Sequence, residues 1–246
     1  DTVDSAEVFG KSGLAFGRFQ KYLSDFPAES LSEIIKNFHN TIWRYENEFI
    51  PAVQADKADR AVNCGEEIKF VMHRREDCKK LVELIEKGEL PLRVTHNDTK
   101  LNNVLFDSDS DDAICVIDLD TVMPGLALYD FGDSIRFGAN SCAEDDDNYD
   151  KVELMLDYFE AYAKGFLSEA GDALNQCEID NLAFSAKLMT FECGMRFLTD
   201  YLNGDTYFKT AYPEHNLVRA KNQFALVADM ERKMEQMQQI IKNITE

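Results

Sequence analysis

Apolar residues recur at three- and four-residue spacing along most of the chain, and this helical texture breaks once, near the centre. After a polar, Gly-containing lead-in over residues 1–13, the pattern from Leu14 to Phe26 predicts an amphipathic helix that Pro27 interrupts. Ser30 and Glu33 stand at capping-box spacing. The stripe Leu31, Ile34, Ile35, Phe38, Ile42, Tyr45 and Phe49 then predicts a second helix, closed by Pro51. His39 and Trp43 beside that stripe read as packing residues. Residues 54–87 predict one or two further helices with Ile68, Val71, Met72, Cys78, Leu81, Val82 and Ile85 inward, and Lys87-Gly88 followed by Pro91 is a stop signal. Helical spacing returns over about 150–170, 178–202 and 214–245. The last segment, with Leu217, Phe224, Val227, Met230, Met234, Met237 and Ile241, predicts a helix packed on the domain, or alternatively a dimer contact.

Between these helices the period shortens. Leu92 to Thr95 reads as an extended entry, residues 96–103 as a polar loop, and Val104-Leu105-Phe106 and Ile114 to Ile117 as short strands. The Asp/Ser-rich Asp107 to Asp112 joins those strands as a hairpin. Pro124-Gly125 marks a turn, a helix is expected from Tyr129, and Glu144 to Asp147 reads as an acidic surface loop. No repeat or linker divides the chain. The expected fold is α+β, mainly α: a single domain over 1–246, its helices around a small β-hairpin unit at about 92–138.

The composition excludes some function classes. A net charge of −20 argues against binding nucleic acid or anionic membrane surfaces. No apolar stretch approaches the roughly 18 residues of a membrane span. The six cysteines form no C-x-x-C pair and several lie in apolar runs, as expected for free thiols in the reducing cytoplasm. Four scattered histidines make a zinc cluster an unlikely reading. Gly10-Lys11-Ser12 resembles the end of a phosphate-binding loop, but Ser5 stands where that pattern needs glycine and no strand precedes it.

The chemistry concentrates at the break. His96, Asp98 and Asn103 lie in the polar loop, and Asp118 follows the hairpin's second strand. Phosphoryl transfer needs an acceptor hydroxyl oriented and relieved of its proton, and phosphate charge neutralised, usually by Mg2+. A carboxylate at Asp98 suits the first task. An amide oxygen at Asn103 and a carboxylate at Asp118 are the hard donors that Mg2+ prefers.

His96-Asn97-Asp98-Thr99-Lys100-Leu101-Asn102-Asn103 resembles the catalytic loop of the protein-kinase-like superfamily. The resemblance implies that Asp98 is the catalytic base and that Asn103 and Asp118 hold the metal of Mg2+-ATP. It also implies that Lys100 reaches toward the transferring phosphate and that His96 keeps the loop's shape. Asp130-Phe131-Gly132 spells the metal motif of protein kinases, but Asp118 stands where the metal aspartate belongs. Asp130 resembles instead a buried aspartate bracing the catalytic loop. The wider pattern resembles the aminoglycoside phosphotransferase and choline kinase branch. Within it, Thr95 to Asn103, Val116 to Gly125, Tyr129 to Gly138 and Glu192 to Phe208 are most similar to N-acetylhexosamine 1-kinases. The implied sugar contacts are Arg196 and Tyr207, with Arg136 and Phe137 weaker candidates.

The implied reaction moves the γ-phosphate of ATP to the anomeric hydroxyl of an amino sugar. The alternatives are another small alcohol (choline, an aminoglycoside, homoserine) or a non-catalytic binding module. Oligomeric state is not legible. One departure stands out: kinases of this fold carry a strand-rich nucleotide lobe with a Gly-rich loop and a lysine, and nothing before residue 92 has that texture. The chain therefore reads as the C-terminal lobe alone, cut from a longer protein or lacking that lobe in nature, and is expected to have little activity by itself.

Overall fold

The computed structural model describes residues 5–246. Ser5 opens helix α1 (Ala6–Tyr22): its side chain accepts the Val8 N–H at 3.2 Å, and Glu7 lies in the first turn. The lead-in expected over 1–13 is thus helical from Ala6, and its first four residues lie outside the described ones. Glycines of this helix, Gly13 of the expected lead-in and Gly17 of the expected helix, serve packing. A Cβ on Gly13 would sit 2.5 Å from the Tyr162 carbonyl oxygen, and one on Gly17 would strike the Phe166 carbonyl, where α1 crosses α7 (Leu156–Ala170). Only glycine permits so close an approach.

The second predicted helix is replaced by a short 3-10 turn, Ala28–Ser30, and irregular chain up to Asn40. The Ser30 hydroxyl donates to the Pro27 carbonyl, and the Glu33 carboxylate accepts the Asn37 N–H, so no capping box forms. The helix begins instead at α2 (Thr41–Arg44), where the Asn40 side chain accepts the Trp43 N–H, and runs through a π turn, Tyr45–Phe49, into α3 (Ile50–Ala55). Pro51 does not close it: the residue stands in the first turn of α3, where its missing N–H costs least. Helices α4 (Gly65–Met72) and α5 (Arg75–Glu86) bury Ile68, Val71, Cys78 and Leu81, whereas Met72 ends α4 exposed. Gly88, at φ +74°, terminates α5 as expected.

Strand β1 (Arg93–Thr95) leads into the polar loop, and β2 (Val104–Phe106) and β3 (Ala113–Val116) form the hairpin, with Leu105 opposite Cys115. The segment read as a turn at Pro124-Gly125 is a strand, β4 (Met123–Gly125), antiparallel to β1. A Cβ on Gly125 would collide with Thr95 Oγ1, so this glycine too serves close approach. The β unit is therefore two separate two-stranded sheets, held together by the polar loop.

Helix α6 (Ala127–Gly138) is buried almost throughout and packs on α8 (Gln176–Asn203), which the Asn175–Glu178 capping box opens. Helix α9 (His215–Thr245) lies along α8 and α7, and the burial of Met230, Met237 and Ile241 shows it packed on the domain. The acidic stretch is docked and not merely solvated: Glu144 pairs with Arg136 at 2.7 Å, and Asp145 lies 3.3 Å from His215. The six cysteines are free thiols, and among the described residues no helix is long and apolar enough to cross a membrane.

Candidate active site

The loop at 96–103 leaves β1 in a sharp bend, with Asn97 in the left-handed region at φ +63°. Such a conformation is strained for a residue with a side chain, and side chains from α6 and α1 hold it. Asp130, on α6 and fully buried, accepts the His96 N–H at 3.0 Å through one carboxylate oxygen and the Asn97 N–H at 2.8 Å through the other. Gln20 of α1 donates to the first of these oxygens at 2.7 Å. Burial raises the Asp130 carboxyl above its ordinary range, against the lowering effect of the amide bonds. The literal D-F-G motif thus lies inside a buried helix, its aspartate engaged with the loop.

One turn further along α6, Asp133 accepts the Thr99 N–H at 3.0 Å and pairs with Arg136. Burial pushes this carboxyl up, but the Arg136 guanidinium and neighbouring cations prevail and hold it below the carboxylate range. Ser134 completes the brace by donating to the Thr99 carbonyl at 2.7 Å.

His96 is buried between the edges of Phe16 and Phe19. Its Nε2 lies 2.8 Å from the Ile117 carbonyl, which can only accept, so Nε2 carries the proton and Nδ1 accepts the Asp98 N–H at 3.3 Å. The Ile117 N–H in turn donates to the Asn103 carbonyl at 2.9 Å. These two bonds set residue 117 against both ends of the loop, so Asp118 follows beside Asn103. Asp118 itself is exposed, with φ +61°.

Asp98 stands at the loop's open side, its carboxylate 2.8 Å from the Lys100 ammonium and 3.2 Å from the Asn103 side-chain nitrogen. Burial works against the charge on Lys100, but the bond to Asp98 and its charge outweigh burial and raise the ammonium's pKa. Asn103 also donates to the Asp98 main-chain carbonyl at 2.7 Å. The donors beside the loop are an amide oxygen and one exposed carboxylate. That is the set Mg2+ uses when substrate phosphates complete its shell, so the residues present fit a nucleotide-borne Mg2+.

Asp98 and Lys100 face a cleft of about 420 Å3 that Arg136, Arg196 and Tyr207 also line. Phe137 is half-buried on α6 and lines no part of this cleft. Four carboxylates border it, and each is engaged: Asp98 by Lys100, Asp133 by Arg136, Glu144 by Arg136, and the buried Glu192 by His39 at 2.8 Å and Thr41 at 2.5 Å. Despite its burial, Glu192 is held below the carboxylate range by His39 and its other partners. Arg196 is different. Its guanidinium lies 5.1 Å from the Phe38 ring, 5.8 Å from Tyr207 and 5.6 Å from Phe208, and it makes no hydrogen bond or ion pair among the described residues.

Sequence reasoning missed Gln20, Thr99, Glu192 and His39 as members of this constellation. Gln20 and Glu192 carried a signal: each is a polar residue on an otherwise apolar helix face, where burial demands a partner. His39 and Thr99 carried none, because their partners lie far away in the chain.

Residues 5–165 of this 246-residue chain match the family described as Phosphotransferase enzyme family, APH. Among solved structures, the chain is similar to an ethanolamine kinase from Plasmodium vivax. The two share 15% sequence identity at a TM-score of 0.56, over 90% of this chain and 62% of that one. At that identity the likeness speaks for the fold, and this chain spans less than two thirds of the ethanolamine kinase's length.

Proposed function

The chain belongs to the phosphotransferase enzyme family, and from that premise we propose that the protein transfers the γ-phosphate of ATP to the anomeric hydroxyl of an N-acetylhexosamine. The product is the sugar 1-phosphate. In this reading Asp98 accepts the proton of the attacking hydroxyl, and Lys100, already drawn to Asp98, offers positive charge to the phosphoryl group in flight. Asn103 and Asp118 hold Mg2+, which when bound neutralises phosphate charge. His96, Asp130 and Asp133 keep the loop rigid, so that Asp98 is positioned before the acceptor arrives.

One observation carries the choice of acceptor. A quaternary or primary ammonium acceptor needs an unengaged carboxylate or an open aromatic cage. In this cleft every carboxylate already has a partner, and the rings of Phe38, Tyr207 and Phe208 surround the Arg196 guanidinium. The group left free to recognise a substrate is thus a donor. It suits the carbonyl of an N-acetyl group and ring hydroxyls, with Tyr207 offering a face for the sugar to stack on.

Initial rates of the full-length protein with Mg2+-ATP on N-acetylglucosamine, N-acetylgalactosamine, choline, ethanolamine, homoserine and an aminoglycoside test this. We expect kcat/KM for an N-acetylhexosamine to exceed that for any amine by about 100-fold or more, the scale on which unpaired buried groups discriminate. A preference for choline or ethanolamine would overturn the acceptor assignment. Binding of sugar without transfer would favour a binding module.

We further take these 246 residues to supply the catalytic and acceptor half, with the remaining contacts to the nucleotide made by a lobe outside them. The exposure of Leu105, Ile114 and Leu119 on and beside the hairpin supports this. Substantial sugar-dependent ATP consumption by the 246-residue chain alone would refute it.

A further inference from the structure

Past Arg196, Tyr207 and Phe208, the cleft that holds Asp98 adjoins a second cavity of about 530 Å3, and all three residues line both spaces. Its other walls come from the irregular segment before α2, from α2 and α3, and from the end of α8. The size falls in the range of a ligand site, roughly 300–1,000 Å3. Nothing in the phosphoryl-transfer reading uses it.

Its charge is unlike that of the rest of the molecule. The chain carries 46 acidic and 26 basic side chains, so most of its cations have a carboxylate to pair with. Only Lys36, Lys57, Lys80, Lys151, Arg196 and Lys209 lack an acidic partner within 4.0 Å among the described residues. Four of these six line the joined cavities: Lys36, Lys57 and Arg196 the second, Arg196 and Lys209 the first. A single exposed lysine without a partner is an ordinary solvated charge. Three lining one recess and a fourth in the cleft beside it, in a chain with such an excess of acid, are not explained that way.

The acids in the second cavity do not offset them. Glu48 pairs with Arg44 at 2.6 Å. Asp200 is buried and accepts from the main-chain N–H groups of Thr206, Tyr207 and Phe208 and from the Asn216 amide, which exhausts both of its oxygens. What the cavity offers a ligand is therefore positive charge, the Asn47 and Asn203 amides and the ring of Trp43. A guanidinium without a partner, held among aromatic rings, is suited to a carboxylate or phosphate.

We propose that this second cavity is an anion-accepting extension of the acceptor site. It takes a carboxylate or phosphate carried by the sugar on the side away from the reacting hydroxyl. A uronic acid linked to a reducing-end N-acetylhexosamine, or a phosphate on the hexosamine itself, would supply that group. The substrate class is then an anionic amino sugar, and Arg196 stands at the junction of the neutral and charged parts. The proposal rests on the reading of the first cleft as a sugar site.

Trp43 is the sole tryptophan of the 246 residues and lines the second cavity, so its emission reports occupancy directly. Titrating the chain with glucuronate, with inorganic phosphate and with glucose, at matched ionic strength, separates anion from sugar and one anion from the other. We expect a saturable change with at least one anion, little with glucose, and loss of the response in a Lys36→Met/Lys57→Met double variant. Equal responses to glucose and the anions, no response, or a response that survives the double variant would overturn the extension. This holds whether or not the protein phosphorylates sugars. In the kinase assay, an anionic N-acetylhexosamine should show KM at least about fivefold below the neutral sugar, an advantage that shrinks as salt screens the cations. Transfer to neutral N-acetylglucosamine without that advantage would sink the extension and leave the sugar-kinase reading intact. Absence of transfer to any N-acetylhexosamine, with the Trp43 response present, would sink the sugar-kinase reading and leave the anion site standing.

Discussion

The two sides of the 96–103 loop are built on opposite plans. On the inner side stand Asp130 and Asp133, buried on α6 with their oxygens accepting hydrogen bonds from the loop, from Gln20 or from Arg136. On the outer side stand Asp118, exposed and in a left-handed conformation, and the hairpin, which leaves Leu105 about half exposed. A buried carboxylate whose oxygens are held by the loop's main-chain N–H groups fixes geometry and has little capacity for chemistry. One left open on a rigid frame can take up a metal or a proton. Burial thus sorts the aspartates of this region, and the motif that spells D-F-G falls on the structural side.

That contrast breaks most visibly in activity. Asp98→Asn should lower kcat of the full-length protein by about 10²–10⁴-fold, the usual contribution of a positioned base, with its melting temperature little changed. Near-normal turnover would remove Asp98 from the chemistry. Asp118→Ala should resemble it: transfer is lost, while stability stays within about 0.5 kcal/mol, as for an exposed position. The inner side should answer in the other currency. Asp130→Ala leaves two main-chain N–H groups without an acceptor and removes the shorter of the two bonds the Gln20 amide donates, the other going to the Val94 carbonyl. We expect it to cost about 2–4 kcal/mol in denaturant unfolding. A variant as stable as the parent would mean that the brace is dispensable.

The smallest effect concerns pH. Asp133 and Glu192 are held below the ordinary carboxylate range in the folded chain. A carboxyl depressed on folding contributes stability above its unfolded pKa of roughly 4, and that contribution is lost as pH falls through the folded value. Stability should therefore decline on acidification below about pH 4, and Glu192→Gln should flatten the decline by removing one of the titrating groups. Parent and variant curves of the same steepness would exclude Glu192 from the effect.

Much of this architecture was legible in the sequence, and the exceptions have common causes. Long helices with an uninterrupted apolar stripe, α7 to α9 and most of α5, were plain, as were the hairpin and the Gly88 stop. One group of readings failed because glycine or proline was taken as punctuation. Gly13 and Gly125 permit close approach, and Pro51 sits in a first turn that tolerates it. The stripe from Leu31 to Phe38 has helical spacing, yet Ile34 is exposed and the segment is irregular, with the Asn37 N–H taken by the Glu33 carboxylate and the Phe38 carbonyl by the Arg44 guanidinium. At the site, the loop's residue types and spacing were visible as a motif. The engagement of Glu192 by His39 and Thr41 was not, since it joins residues 153 and 151 positions apart, and the freedom of Arg196 from any acidic partner among the described residues is a property of the folded surface only.

In the proposed reaction the cleft beside Asp98 presents a sugar to the γ-phosphate through its anomeric oxygen. The direct measurement is phosphorus NMR of the full-length protein's product from an equimolar mixture of N-acetylglucosamine and ethanolamine with Mg2+-ATP. The account predicts one new phosphomonoester, coupled to the anomeric proton of the sugar. Phosphoethanolamine as the main product, or phosphate on any other sugar hydroxyl, would contradict it.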